Sequence, residues 1–276
     1  MLFMSLAYHI GLGPEHLVGN DGRGRYVLLP GDRSRAERIA DRFQDCQRIS
    51  NPRGHDSHLG QLCPEGGGAP VDVLAISSGM GPSSVEIIAT ELIDCGARRL
   101  VRVGSSASLN PSVKPGSVLI VTGAVRDEST SDRWTPPSFP AMSHIDAVGA
   151  MRRGALAVGL GSSTYTGLCH SKDSLFGREL GRGPLAATNA QYVESLRSAG
   201  VLATEMEASL LFVLAAVASA SRVQAIEHGA SGVPVQAACV LAIYGEPGSD
   251  ITRQADQDAI SVACAGVLSW AVSDAP

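Results

Sequence analysis

The sequence predicts an α/β protein, a single domain with a central mixed β-sheet flanked by helices. Three observations predict it. Apolar, β-branched runs alternate with helix-periodic segments from Tyr26 to the C-terminal region. Between Val73 and Ala107 the chain reads as a strand, a glycine loop, a helix and a second strand, the unit of a parallel pair. The 276 residues, 44% of them hydrophobic, suffice for one large core, and neither an internal repeat nor a long linker divides them.

The first strand is Tyr26 to Leu29; Pro30-Gly31-Asp32 turns it into a helix carrying Arg35, Ala36, Ile39, Ala40 and Phe43. Arg48 to Gly60 reads as a turn-rich stretch with Arg53, His55 and His58. Gly66-Gly-Gly68 connects it to the strand Val73 to Ile76. Gly79-Met-Gly81-Pro82 then opens a helix that Gly96 closes, proline at the first turn and glycine past the last. The next strand carries Arg102, placed one residue short of its end, with Gly104, Ser105 and Ser106 as the loop beyond. Further strands are expected at Ser117 to Thr122, Thr164 to His170 and Val235 to Tyr244, and helices at Ile145 to Val158, Gln191 to Ala199 and Ile251 to Val272. Arg126 to Pro140 is polar and proline-containing, a candidate lid or intersubunit loop. Ala208 to Ala220 is an apolar run too short to span a bilayer, so a buried helix is expected.

A net charge of −5 and no basic stripe argue against nucleic-acid binding, so anions must be caught by individually placed arginines. Six cysteines lie scattered without a Cys-x-x-Cys pair, which fits a reducing, cytoplasmic setting. Met1 to Gly11 has neither the basic start nor the small-residue cleavage site of a secretory signal, and no membrane partner is expected. His55 and His58 lack a third ligand at metal spacing, so no metal is expected.

Three places carry chemistry. Arg102 sits between Val101 and Val103 in an apolar strand, so its guanidinium projects from the opposite face and requires an anion, either a carboxylate of the sheet or a ligand held by the glycine-serine loop. Arg35 sits in the first turn after a strand-glycine-helix junction, where backbone N–H groups favour an anion; a solvated helix arginine is the alternative. Glu205 and Glu207 bracket Met206 at the head of the apolar run. Acidic residues suit a helix start, and deep burial there adds a demand for hydroxyl or cationic partners, such as a vicinal diol.

Pro30-Gly-Asp-Arg-Ser-Arg35, Gly79-Met-Gly-Pro-Ser83, Arg102-Val-Gly-Ser-Ser106 and Glu205-Met-Glu-Ala208, in this order and spacing, resemble the nucleoside phosphorylase-I family. Tyr8-His-Ile-Gly-Leu12, Val125-Arg-Asp127 with Ser138-Phe-Pro-Ala141, and His170-Ser-Lys-Asp-Ser174 are similar to its uridine phosphorylase branch. The likeness runs from about His9 to Val272. It implies a phosphate site from Gly31, Arg35, Arg102 and Ser105, completed by Arg53 of a neighbouring subunit. It also implies a ribose site from Met206, Glu207 and the neighbour's His9, and a base site at Ser106, Phe176 and Arg178. Arg102 and Glu207 are the implied catalytic pair. Inorganic phosphate is the implied co-substrate, with no further cofactor, and a homo-oligomer, at least a dimer and as large as a hexamer, is implied by the shared site.

The sequence departs from the family pattern at the base. Where the uridine branch has a glutamine with a companion arginine, the segment reads Leu175-Phe-Gly-Arg178-Glu179. The aspartate with which purine enzymes protonate their base is missing from Val240 to Tyr244, which disfavours purines. Gly54 replaces a cation-binding glutamate of some relatives. The resemblance therefore implies phosphate-dependent cleavage of a uridine-like nucleoside to uracil and (deoxy)ribose 1-phosphate. Its alternatives are the same chemistry on a uridine modified at the sugar 5′ carbon, hydrolysis, and binding without turnover; three arginines weigh against a water nucleophile.

Overall fold

The structure is a computed structural model that describes residues 6–227, 234–245 and 249–274. Met1 to Ser5, the start of the apolar opening run, lie outside the described residues.

The strands are β1 (Tyr26–Pro30), β2 (Gln44–Ile49), β3 (Ser57–Leu62), β4 (Val71–Ile76), β5 (Arg99–Ser108), β6 (Val118–Asp127), β7 (Ala141–Met142), β8 (Thr164–Lys172), β9 (Ala203–Glu205) and β10 (Gln236–Ile243). The helices are α1 (Arg33–Ala40), α2 (Pro82–Asp94), α3 (Ile145–Ala157), α4 (Ala186–Ser198), α5 (Ala208–Glu227) and α6 (Asp250–Ser273). One mixed sheet runs β10-β6-β8-β9-β5-β1-β4-β3-β2, with β7 on β6. A further β10–β5 pairing closes β5, β10, β6, β8 and β9 into a ring.

Both faces of the sheet are covered, which explains the near-continuous apolar runs of β1 and β4. Period-two alternation divides them. Val27, Leu29, Leu74 and Ile76 pack with Val85, Ile88 and Leu92 of α2 and Leu211 of α5. Tyr26, Leu28, Val73 and Ala75 pack on the other face with Ile39 of α1, Met151 of α3 and Ile260 and Trp270 of α6. Among the described residues no helix is long and apolar enough to cross a membrane.

Two expectations need revision. The stretch read as turn-rich contains the hairpin β2–β3. Its first strand is exposed along almost its whole length, so it carries no burial alternation, and pairing alone holds it. His58 is buried in β3, where desolvation pushes its imidazole pKa down. β5 does not end at Arg102 but continues to Ser108, with Gly104, Ser105 and Ser106 paired to Leu241, Ala242 and Ile243. On the other edge β1 stops opposite Val103 and β9 pairs with Ala107 and Ser108, so no strand pairs with 104–106 there. The candidate lid or intersubunit loop, Arg126 to Pro140, is tied back to its own first residue. β6 extends through Asp127, and Arg126 gathers the loop by donating to the carbonyls of Thr135, Pro136 and Phe139 and to Ser131 and Asp132.

Candidate active site

Arg102 projects from β5 on the face opposite Val101 and Val103, as its flanking valines predicted. It meets the head of α5. Its Nε donates to Glu205 Oε2 at 2.9 Å, and its Nη2 pairs closely with Glu207. The arginine and both carboxylates are almost wholly shielded from water, with side-chain exposures of 5%, 0% and 6%. The third nitrogen, Nη1, is buried and has no hydrogen-bond partner among the described residues. Gly104 makes this placement possible: a Cβ there would lie 2.7 Å from Arg102 Nη2 and 2.9 Å from Cζ.

The two carboxylates are not equivalent. Burial alone would raise both pKa values. Glu205 is nevertheless held below its ordinary value by Arg102, by the Ser171 hydroxyl and by the backbone N–H groups of Glu207 and Ala208. Glu207 is pushed up, by burial and by the neighbouring Glu205, with Arg102 and the Gly81 N–H opposing. Gly81 N–H donates to Glu207 Oε1 at 2.6 Å from a loop whose glycines adopt positive φ, +72° at Gly79 and +80° at Gly81. Loop, strand and helix head thus meet on one carboxylate. The guanidinium is held above its own ordinary value by Glu207 and Glu205 despite its burial.

Arg35 stands beside this group. Asp32 caps α1, accepting from Arg35 N–H at 2.8 Å, and the Arg35 side chain reaches back to the Val103 carbonyl at 3.3 Å, next in sequence to Arg102. The anion anticipated at this helix start is in the structure a protein carboxylate. Asp256 of α6 accepts from Arg35 Nε at 3.0 Å and pairs with Nη2 at 2.8 Å, while Tyr244 accepts from Nη2 at 2.6 Å. Arg38 also pairs with Asp256, and Asp32 lies 3.6 Å from Arg35 Nη1, so two guanidinium groups are matched by two carboxylates. Gly31 lies between β1 and α1, its carbonyl accepting from Ser77 Oγ and its Cα facing the Gly79 carbonyl. Ser105 is half-buried on β5, Ser106 donates to the Ala242 carbonyl, and the Met206 Cε approaches Gly81.

Two groups anticipated for the site lie apart from Arg102. Half-buried His9 and exposed Arg53 form their own cluster: Arg53 stacks on Tyr8 at 4.8 Å and donates to its hydroxyl, and Asn51 ties the His9 carbonyl to the Arg53 N–H. Glu91 of α2 holds the His9 ring through Nδ1 at 2.6 Å and accepts from the N–H groups of His9 and Ile10. Phe176 and Arg178 ride on a single π-helical turn, Leu175–Glu179. Phe176 is exposed, whereas Arg178 is spent on Asp127 (2.7 and 3.0 Å), on Asn189 and on the Tyr192 ring. Two surface clefts, of about 440 and 300 Å³, contain none of Arg35, Arg102, Glu205 or Glu207. Buried charge with an unfilled donor marks the site better than open volume does.

Sequence reasoning missed Asp256, Tyr244 and the partners of Arg178. One signal was available: His170, Ser171 and Lys172 end an otherwise ordinary strand with three consecutive polar residues, all of them buried.

A family model described as "Phosphorylase superfamily" matches residues 25–227. The chain is 35% identical over 211 residues to a protein from Treponema pallidum named uridine phosphorylase, covering 76% of each chain. It is 32% identical over 213 residues to one of the same name from Thermococcus kodakarensis, covering 76% of this chain and 72% of the relative. The crystal structure of uridine phosphorylase from Vibrio fischeri ES114 superposes with a TM-score of 0.76 over 99% of this chain and 100% of that one. At 21% identity that match speaks to the fold.

Proposed function

The chain belongs to the phosphorylase superfamily, and from that premise we propose that it cleaves the N-glycosidic bond of a uridine-like pyrimidine nucleoside with phosphate, releasing uracil and a (deoxy)ribose 1-phosphate. The observation that carries the reading is Arg102: a buried guanidinium with two edges held by Glu205 and Glu207 and one nitrogen left without a partner. A buried donor without an acceptor costs about 1–3 kcal/mol, which an incoming oxyanion would recover.

Phosphate is held in this reading by Arg102, by Arg35 from the next strand end, by the Gly31 loop and by Ser105 on the uncovered edge of β5. Arg53 of a neighbouring subunit closes the site. The sugar rests on Met206, Glu207 takes its 2′ and 3′ hydroxyls, and the neighbour's His9 faces the 5′ position. The base lies toward Ser106, Phe176 and Arg178. A phosphate oxygen forms the new bond to C1′ as the C1′–N bond breaks, the pair of electrons from that bond leaves with the base, and the base takes up the proton that hydrogen phosphate gives up. Positive charge develops on the ribosyl ring and is stabilised by the phosphate beneath it. The arginines fix the nucleophile, and the diol contact fixes the anomeric carbon above it. The chemistry calls for phosphate as co-substrate and for a homo-oligomer that supplies Arg53 and His9.

Uridine, thymidine, inosine, adenosine and 5′-modified uridines incubated with and without phosphate test the proposal. Uracil release that requires phosphate and yields sugar 1-phosphate is expected. Free ribose as the product, or release undiminished without phosphate, overturns it.

A further inference from the structure

The site leaves one buried cation unused. Lys172 ends β8 with its side chain only 2% exposed. Its ammonium group has three protons and finds three acceptors: Thr204 Oγ1 at 2.9 Å, the Glu205 carbonyl at 3.1 Å and Glu179 Oε2 at 2.7 Å. Two of these belong to β9, which carries the carboxylate on Arg102. The third belongs to the Leu175–Glu179 turn.

The same turn is tied down a second time. Arg178 donates to Asp127, and Asp127 accepts from His170 Nε2 at 2.9 Å. The other ring nitrogen, Nδ1, lies 3.1 Å from Thr204 Oγ1. Thr204 Oγ1 accepts from Lys172 and joins it to His170, whose other ring nitrogen joins Asp127. Arg178, Asp127, His170, Thr204, Lys172 and Glu179 therefore form one continuous network that leaves the turn at one residue and re-enters it at the next. His170, Lys172 and Thr204 are all buried. An apolar side chain of similar length would fill the position of Lys172 with less desolvation, so what the ammonium adds is a fixed geometry.

We infer that Lys172 is a positioning residue that locks the Leu175–Glu179 turn to the Thr204-Glu205 strand and so sets the placement of Phe176 relative to Arg102. The inference rests on the proposed reading of the site, in which that turn faces the base. Phosphate does not touch the turn in this arrangement, so freeing the turn alone, as Glu179→Gln does, acts on one substrate only.

Lys172→Met, Glu179→Gln and the double variant test it. Glu179→Gln is expected to raise the KM for nucleoside about tenfold, the loss of one charge-assisted hydrogen bond, with the KM for phosphate unchanged within about twofold, and Lys172→Met, which also gives up the bonds to Thr204 and the Glu205 carbonyl, to raise it at least as much. The double variant is expected to be no worse than Lys172→Met, because the one contact that Glu179→Gln removes is already lost there. Hydrogen exchange of the Gly177, Arg178, Leu180 and Arg182 amides, which close the turn onto Ser174, Leu175 and Phe176, is expected to quicken about tenfold in all three. Equal changes in both KM values, additive effects, or unchanged exchange overturn the assignment. Glu179 lies partly in solvent, so its variant folds even if burying methionine at 172 disturbs the core. Exchange needs no turnover: a wild-type protein that phosphorolyses no nucleoside would sink the proposed function, while the exchange comparison would still decide on Lys172.

Discussion

Replacing Arg102 by alanine removes the guanidinium from between Glu205 and Glu207 and leaves two carboxylates, exposed 0% and 6%, facing each other without it. Breaking a buried ion pair by removing one partner costs about 3–5 kcal/mol. For a chain of 276 residues the unfolding entropy is about 0.6 kcal/mol/K, so Tm should fall by roughly 5–9 °C. The pH dependence identifies the cause. In the wild type Glu205 is held below its ordinary 4.5 by Arg102 after burial has worked the other way. It therefore contributes stability that is present above 4.5 and is lost as pH falls through its folded value. In Arg102→Ala both carboxylates lose the opposing cation, and burial carries them up. A raised carboxyl favours the fold below its unfolded value and loses that contribution as pH rises through the folded one. The stability deficit of the variant should thus be greatest near pH 8 and shrink toward pH 5. Thermal unfolding followed by circular dichroism at both pH values checks it, and a deficit that stays constant or grows on acidification would refute the reasoning. Activity should fall about 10²–10³-fold in kcat/KM for phosphate, the usual consequence of losing one fixed donor to a developing charge. Arg102→Lys should recover part of the stability but little of the activity, since an ammonium group cannot hold two carboxylates and an anion in the plane of a guanidinium.

Gly104→Ala places a Cβ 2.7 Å from Arg102 Nη2 and should displace the guanidinium from Glu207; a loss of about 1–3 kcal/mol in stability with a raised KM for phosphate is expected, and unaltered phosphate kinetics would count against it. Asp256→Asn takes from Arg35, 5% exposed, the carboxylate on its Nε and Nη2 and leaves only Asp32 at 3.6 Å, and because phosphate can serve as the missing counter-ion, added phosphate should raise Tm more in this variant than in the wild type. Equal phosphate effects on the two proteins would show that Arg35 does not meet the anion. Arg53→Ala, exposed and stacked only on Tyr8, should change stability by less than about 0.5 kcal/mol yet abolish most activity. Mixed and reassembled with Arg102→Ala it should regain about a quarter of wild-type activity, since half of the randomly formed dimers contain one intact shared site; no recovery on mixing would place Arg53 in the site of its own subunit or outside any site.

Residues that could be recognised in the sequence were those out of keeping with their immediate neighbours. Arg102 lies between valines in an apolar strand, so its need for an anion follows from alternation alone, and the structure supplies Glu205 and Glu207. The two glutamates stood out for the same reason, as charges heading an apolar helix. Their partners were a different matter. Asp256 lies on α6 and Asp127 ends β6, positions where an acidic residue is unremarked by any local rule, and only the tertiary fold brings them to Arg35 and Arg178. Strand limits failed where the deciding interaction was remote. Gly104-Ser-Ser106 has the composition of a loop, yet β10 pairs with it throughout, and its glycine serves a guanidinium rather than a turn. β2 is polar and exposed, and only β3 makes it a strand. Lys172 combines both situations. Its neighbours His170 and Ser171 make the strand end conspicuously polar, but a lysine there is ordinary until Thr204, Glu205 and Glu179 arrive from two other segments to occupy all three of its protons. A cation so completely satisfied inside the protein has none left for a ligand, which is why its consequence must be sought in where it holds the turn.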